Sequence, residues 1–226
     1  MGRAIALAMA GAGAQVAFTY LHSKDEASQT LAEIKKIGSP AIAVPCDVRD
    51  GKSIATAVHE IQKQFGRIDV LVNNAGVFET AHFNDITEEQ WDNMFAINVR
   101  GPFLVSRQCI PALRSSQGRI INLGSLGGEK PWTTHAHYCS SKAALHMLSQ
   151  VMAKALAPEI AVNCVAPGMI DQGDGDADIL KKLAVSTPMR RNGSADDVVS
   201  AVLYFATAPH FITGQLLTVD GGLSLR

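Results

Sequence analysis

Two side chains four residues apart, a tyrosine and a lysine, have the types and the spacing that acid–base chemistry requires. Tyr138 and Lys142 would be neighbours on one face of a helix. An ammonium ion beside a phenol stabilises the phenolate, so we expect Lys142 to lower the tyrosine pKa from its usual value of about 10 toward neutral pH. A tyrosine tuned in this way acts as a general acid or base. The spacing alone is common, but Ser125 at the end of a predicted strand and Asn98 on a predicted helix strengthen the assignment.

Helices and strands that alternate along the chain must position these side chains. After an opening Ala-rich helix, apolar periodicity predicts helices over Lys24 to Ile37, Asp50 to Phe65, Trp91 to Leu113, Tyr138 to Leu156 and Ala195 to Ala206. The predicted strands are Gln15 to Tyr20, Ala41 to Pro45, Ile68 to Val72, Arg119 to Leu123, Ile160 to Val165 and Gln215 to Val219. This alternation indicates an α/β fold, with right-handed βαβ units and a doubly wound parallel sheet covered on both faces.

Small and polar residues follow several of the predicted strands, where an open parallel sheet binds its ligands. Asn73-Asn74-Ala75-Gly76, Gly124-Ser125 and Pro167-Gly168 each stand directly after a strand. Any one of them could be ordinary turn chemistry, whereas three at one sheet edge favour a binding site. The irregular segment from Met169 to Arg191 is either a lid over that site or a solvated connection.

Charge and composition exclude several classes of protein. The 226 residues include 20 Lys and Arg against 21 Asp and Glu, with no basic stripe, so we expect neither nucleic acid nor a membrane as partner. The four cysteines are far apart, which favours a reduced cytoplasmic setting. His135 and His137 lack a nearby third ligand, so we predict two loop histidines and no metal. No linker or repeat divides residues 1–226, and a single domain is expected.

The first residues can be interpreted in two ways. Met1-Gly2-Arg3, the apolar run after it and Ala12-Gly13-Ala14 imitate a signal peptide. The same stretch also forms an Ala-rich helix that leads through a glycine turn into the strand Gln15 to Tyr20, and we favour this interpretation.

From Gly2 to Val219-Asp220-Gly221-Gly222, the chain resembles the short-chain dehydrogenase/reductase family, which has a Rossmann-type sheet. The resemblance implies that Tyr138 exchanges a proton with a carbonyl or alcohol oxygen and that Ser125 hydrogen-bonds that oxygen. It also implies that Lys142 lowers the tyrosine pKa while it holds the nicotinamide ribose. Asn98 would position a water in the proton relay.

The resemblance further implies which residues contact the cofactor. Asp47 and Val48 would lie against the adenine, and Gly2 would belong to the phosphate-binding turn. The remaining contacts that it implies are Asn74, Ala75 and Gly76 in support of the cofactor, and Pro167, Gly168 and Ile170 beside the nicotinamide. Gln172 stands where many relatives have a threonine that contacts the cofactor amide, which puts that contact in doubt.

The end of the strand Gln15 to Tyr20 bears on the choice of cofactor. An NAD enzyme usually has an acidic residue there, against the ribose 2′-hydroxyl, but here no acid occurs before Asp25. We therefore predict NADP rather than NAD, with Ser23 and Lys24 on the 2′-phosphate. The alternative is that Ser23 caps the next helix and Lys24 is simply solvated.

The chain departs from the family at its beginning. Gly2-Arg3-Ala4-Ile5-Ala6 matches only the tail of the family's Gly-rich turn, so the family's first strand and most of its glycines are missing. That strand would lie between the Val16 and Val70 strands, and its absence predicts a gap of about 9.6 Å, two strand spacings. We expect that the start has been assigned too late; the alternative is a short chain with an impaired cofactor site.

The activity expected is an NADP-dependent carbonyl reductase or alcohol dehydrogenase, most similar to 3-oxoacyl-carrier-protein reductases. The ending Val219-Asp220-Gly221-Gly222-Leu223-Ser224-Leu225 is also similar to pteridine reductases, and a non-catalytic scaffold with this fold is a further alternative. The expected partners are a small carbonyl or alcohol substrate and further copies of the chain. A homotetramer or homodimer would form through the helices Trp91 to Leu113 and Tyr138 to Leu156 and the last strand.

Overall fold

A computed structural model describes residues 1–171, 173 and 177–225. Its α-helices are Gly2–Gly11 (α1), Lys24–Ile37 (α2), Gly51–Phe65 (α3), Glu88–Phe95 (α4), Gly101–Ser116 (α5), Ala136–Leu156 (α6), Ala177–Ser186 (α7) and Ala195–Thr207 (α8). Its strands are Val16–Tyr20 (β1), Ala41–Pro45 (β2), Val70–Asn73 (β3), Arg119–Leu123 (β4), Ala161–Pro167 (β5) and Leu216–Val219 (β6). None of the helices in these ranges is long and apolar enough to cross a membrane.

All strand pairs are parallel, which confirms the predicted α/β fold. β3, β4, β5 and β6 pair in that order, and the register sets Arg119 beside Val70 on one side and Ala161 on the other. β1 pairs with β2, with Val16 opposite Ala41.

The sheet is divided between β1 and β3, where the sequence predicts a gap. Within the described ranges, no strand hydrogen-bonds to the second edge of either one. Helix α1 packs against both parts. Ile5 belongs to a core cluster with Ile121 of β4, whereas Ala10 belongs to one with Val16 of β1. Side-chain packing around α1 therefore joins the two parts, and a further core cluster, which contains Val44 of β2 and Ile120 of β4, joins them as well.

Two hydrophobic cores cover opposite faces of the four-stranded part. Because successive strand residues point to opposite faces, Ile120 enters one core and Ile121 the other. The first core also contains residues of α3, α5 and α6, among them Leu113, and the second contains residues of α8, among them Val202. This arrangement is the doubly wound layering that the sequence predicts.

Local signals explain where several helices begin and end. Asp50 caps α3 by accepting a hydrogen bond from the backbone N–H of Lys52 at 2.9 Å. At the end of α2, Gly38 takes a φ of +88°, a left-handed conformation that glycine adopts without strain.

Two predicted segments differ from the structure. The single helix expected over Trp91 to Leu113 is α4 and α5 with a π-helical turn, Ala96–Arg100, between them. The N–H of Gly101 bonds to the carbonyl of Ala96, five residues back, and Pro102 has no N–H to continue a regular ladder. The segment Met169 to Arg191, expected to be irregular, contains α7.

Candidate active site

Three elements bring the predicted catalytic side chains together at the carboxyl ends of the strands. Ser125 stands two residues after the end of β4, next to Gly124, and is buried directly before the 3₁₀ segment Leu126–Gly128. Tyr138 and Lys142 lie on α6, one turn apart, and Asn98 lies in the π-helical turn. The topology thus assembles four side chains that are distant in sequence.

The side chain of Ser125 lies close enough to the hydroxyl of Tyr138 to lower the pKa of the phenol. The Oγ of Ser125 accepts a hydrogen bond from the N–H of Gly127 at 3.1 Å. This bond holds the serine hydroxyl in the turn beside the phenol.

The structure contradicts the expectation that the pKa of Tyr138 is lowered. Burial raises this pKa because it disfavours the charged phenolate, and the side chain of Ser125 offsets that effect only in part. The Nζ of Lys142 lies 5.8 Å from the centre of the tyrosine ring and donates at 2.8 Å to the carbonyl oxygen of Leu123. Tyr138 is therefore protonated at neutral pH, the form that donates a proton to a carbonyl.

Lys142 is a buried ammonium group at the centre of the site. Burial lowers its pKa from 10.5 to about 8, because a charged amine loses its hydration there. The ammonium form therefore predominates below about pH 8. A Cβ at Gly76 would lie 3.6 Å from its Nζ, so the backbone after β3 passes close to the charge.

Asn98 is completely buried and links the loop after β3 to helix α6. Its Oδ1 accepts from the N–H of Val77 at 2.9 Å, and its Nδ2 donates to the carbonyl of Val77 at 3.0 Å. Nδ2 also lies 3.0 Å from the Oγ of Ser141, which in turn donates to the carbonyl of Tyr138 at 2.7 Å. The asparagine therefore holds the site's backbone in place.

The residues predicted to bind the 2′-phosphate and the adenine follow β1 and β2, those predicted to support the cofactor follow β3, and Gly2 begins α1. A Cβ on Gly2 would lie 2.8 Å from the Nδ2 of Asn74, so the start of α1 meets the loop that contains Ala75. Ser23 and Lys24 are exposed at the start of α2, and the Ser23 side chain makes no capping hydrogen bond.

Asp47 and Val48 follow β2. Asp47 forms an ion pair with Arg49 at 2.7 Å, and the hydrogen bonds from that guanidinium lower the pKa of the carboxyl group. Val48 packs against Gly101, where a Cβ would lie 3.1 Å from its Cγ2. The sequence analysis does not single out Arg49, although a basic residue two positions after Asp47 could have indicated this ion pair.

The residues predicted beside the nicotinamide follow β5. Pro167 ends that strand, and the N–H of Gly168 donates to Val219 of β6 at 2.9 Å. A Cβ on Gly168 would lie 2.6 Å from the Cβ of Asp220, which makes this a close approach of two backbones. Ile170 forms an isolated bridge with Gly193. Gln172 lies outside the described residues.

Aromatic rings surround the phenol of Tyr138. Phe78 meets it edge-on with ring centres 4.8 Å apart, and Trp132 lies nearly parallel to it at 6.0 Å. His135 stacks on Phe78 at 4.7 Å. His137 was predicted in a loop but lies fully buried on α6, where neither ring nitrogen has a hydrogen-bond partner among the described residues. In the part of the chain that the structure describes, no three His, Cys, Asp or Glu residues group to hold a metal.

Comparisons with known proteins agree with this geometry. The sequence model of a family described as enoyl-(acyl carrier protein) reductase matches residues 1–224. The 3-oxoacyl-(acyl-carrier-protein) reductase FabG of Staphylococcus epidermidis is 36% identical over 229 residues, which cover 99% of this chain and 94% of that protein.

Solved structures are similar over the same length. A short-chain dehydrogenase/reductase of Serratia marcescens has a TM-score of 0.93 at 35% identity and covers 99% of this chain and 93% of its own. The gluconate 5-dehydrogenase of Burkholderia cenocepacia, in complex with NADP and tartrate, has a TM-score of 0.91 at 29% identity, with 99% and 90% covered. The chain therefore belongs to the short-chain dehydrogenase/reductase family, whose members are oxidoreductases that use nicotinamide cofactors.

Proposed function

We propose that the protein reduces a carbonyl compound with NADPH and that Tyr138 supplies the proton. The observation that carries this proposal is that Ser125, Tyr138 and the buried ammonium of Lys142 lie together, with the Nζ of Lys142 5.8 Å from the centre of the tyrosine ring. A 3-oxoacyl thioester is the preferred substrate, because the similar Staphylococcus epidermidis protein is named for that activity. The same site would oxidise the corresponding alcohol in the reverse direction.

The residues around the site fit a nicotinamide dinucleotide. A Cβ at Gly76 would lie 3.1 Å from the Oδ1 of Asn98, so a side chain at this position would press on the buried asparagine. Lys142 uses one donor on Leu123, and an ammonium group has three, which leaves capacity for ribose hydroxyls. Pro167, Gly168 and Ile170 would lie beside the nicotinamide, and Asn74 and Ala75 would support the cofactor. Gly2 would belong to the phosphate-binding turn, with Asp47 and Val48 against the adenine.

The protein's own chemistry is a proton transfer to the substrate oxygen. When bound, the reduced nicotinamide supplies a hydride to the carbonyl carbon. The carbonyl π-bond breaks as its electron pair moves to the oxygen, which takes the proton from the hydroxyl of Tyr138. Ser125 hydrogen-bonds the same oxygen, and Asn98 holds the backbone around it and positions a water that returns a proton to Tyr138.

Turnover of a defined substrate tests this function against its alternatives. NADPH consumption is measured with a 3-oxoacyl thioester of the acyl carrier protein and, separately, with an oxidised pteridine. We expect consumption with the thioester, matched by formation of the 3-hydroxyacyl product. Consumption with the pteridine alone would transfer the assignment to a pteridine reductase. NADPH binding without turnover of either would support the scaffold alternative.

Lys24 is expected to select NADPH over NADH. Lys24→Glu should raise the dissociation constant for NADPH about 10–100-fold, because a charge-assisted hydrogen bond to the 2′-phosphate is lost, while that for NADH stays nearly constant. Fluorescence titration of both cofactors measures the difference. Lys36→Glu makes the same charge change on an exposed lysine at the far end of α2 and should alter neither constant. Equal effects of the two variants on the dissociation constant for NADPH would contradict the proposed contact between Lys24 and the 2′-phosphate.

Partners and setting are also part of the proposal. A homotetramer or homodimer would cover the apolar side chains that α5 and α6 expose, namely Phe103, Met147 and Val151. All four cysteines are free thiols, which supports a reducing cytoplasm. The two core clusters of the described residues lie on opposite faces of the same sheet, which supports a single domain over residues 1–226. The segment from Met169 to Arg191 would lie beside the substrate.

A further inference from the structure

A buried histidine that the proposed reaction does not use lies against the turn that carries Ser125. His146 is on α6, one helical turn after Lys142, and its side chain is only 8% exposed. A Cβ at Gly124 would lie 2.8 Å from the Cδ2 of His146, and a Cβ at Gly128 would lie 2.5 Å from its Cε1. The backbone on both sides of Ser125 therefore passes directly against the imidazole ring.

The ring makes a specific contact with the serine backbone. The N–H of Ser125 donates a hydrogen bond to the Nε2 of His146 at 3.3 Å. A backbone amide can only donate, so Nε2 must keep its lone pair and the neutral ring must carry its proton on Nδ1. The hydroxyl of Ser125 is tied separately to the N–H of Gly127. The histidine thus fixes the serine backbone while the turn fixes its hydroxyl.

We propose that His146 is a positioning residue, whose neutral imidazole holds the backbone of Ser125 so that the serine hydroxyl meets Tyr138 and the substrate oxygen. The inference rests on the proposed carbonyl reduction. A serine hydroxyl that shifts by about 1 Å no longer aligns with both partners, which is enough to cost about 100-fold in rate.

Charged and titratable groups around the ring determine when it stays neutral. Burial lowers the pKa of His146, the positive charge of Lys142 on the same helix lowers it further, and Glu129 beyond the turn raises it. Cys164 of β5 lies close to Gly124, the glycine that the imidazole also contacts, since a Cβ on Gly124 would be 2.8 Å from the Sγ of Cys164. Burial raises the pKa of that thiol to about 11, so it is uncharged at neutral pH. As the pH falls below the lowered pKa of His146, Nε2 gains a proton and Ser125 loses its acceptor.

Two substitutions separate positioning from mere packing. His146→Gln keeps an acceptor at a similar reach but does not titrate, whereas His146→Leu fills the space without an acceptor. We expect the leucine variant to lose about 10–100-fold in kcat with an unchanged dissociation constant for NADPH. The glutamine variant should recover most of kcat and should lack the acid-side decline that the unsubstituted protein has. His59→Gln, on the exposed face of α3, should leave the pH profile unchanged.

A measurement independent of turnover keeps the inference testable. Long-range ¹H–¹⁵N spectra of the full chain should identify His146 as the tautomer with a bare Nε2, and the Ser125 amide signal should titrate with that ring. In the glutamine variant, this amide titration should disappear. A proton on Nε2 at neutral pH, or a leucine variant with normal kcat and pH profile, would overturn the proposal. If the protein reduces no carbonyl substrate while the spectra show the bare Nε2, the proposed function fails and the histidine contact stands.

Discussion

Tyr138→Phe is expected to lower kcat for carbonyl reduction by about 10²–10⁴-fold, because the substrate oxygen loses its proton donor. The substitution removes one hydroxyl and keeps the ring that contacts Phe78 and Trp132. Stability and the dissociation constant for NADPH should therefore change little. Steady-state kinetics, cofactor titration and thermal unfolding measure the three quantities.

A second tyrosine provides the matched control for this prediction. Tyr204 on α8 is about half exposed and lies outside the candidate site, so Tyr204→Phe should keep full activity. If Tyr138→Phe retained kcat within about threefold, a value far below the usual contribution of general acid catalysis, the proton donor would have to be another group.

Asn98→Ala is expected to reduce the free energy of unfolding by about 2 kcal/mol, since the partly buried N–H and carbonyl of Val77 both lose their side-chain partner. The variant also loses the bond to the Oγ of Ser141, through which the tyrosine carbonyl is held. We therefore expect kcat to fall together with stability. Urea unfolding monitored by circular dichroism measures the first effect and steady-state kinetics the second.

Gln108→Ala is the control for the asparagine substitution. Gln108 is exposed on α5, the helix that follows the π-helical turn, and surface changes of this kind usually stay within about 0.5 kcal/mol. Equal destabilisation by both substitutions would mean that the amide contacts of Asn98 contribute nothing specific.

The layers of the fold could be predicted from the sequence because local signals determine them. The bounds predicted for the helix Lys24 to Ile37 and for the strand Arg119 to Leu123 match the structure. Gly38 ends the helix through its own backbone freedom, and the strand is an apolar run that needs burial on both faces. Such signals lie within a few residues of the element that they define.

Features that depend on distant contacts could not be predicted in the same way. The π-helical turn contains Asn98, whose side chain hydrogen-bonds to Val77 in the loop after β3, 21 residues away in sequence. The spacing of Tyr138 and Lys142 predicts a lowered tyrosine pKa, because it shows the lysine. The burial that raises this pKa arises only when the site is assembled. His146 was overlooked, although it stands four residues after Lys142 and so shares its helix face.

The division of the sheet has a consequence for how the molecule fluctuates. Hydrogen-bond ladders are directional and resist sliding, whereas apolar burial around α1 is not directional and tolerates small displacements. β1 and β2 bury fewer of their residues than β4 and β5, so we expect their amides to exchange faster with solvent. Ser23 and Lys24 adjoin the two-stranded part, whereas Ser125 follows a strand of the four-stranded part. Amide exchange should therefore differ between the backbone around Ser23 and the backbone around Ser125.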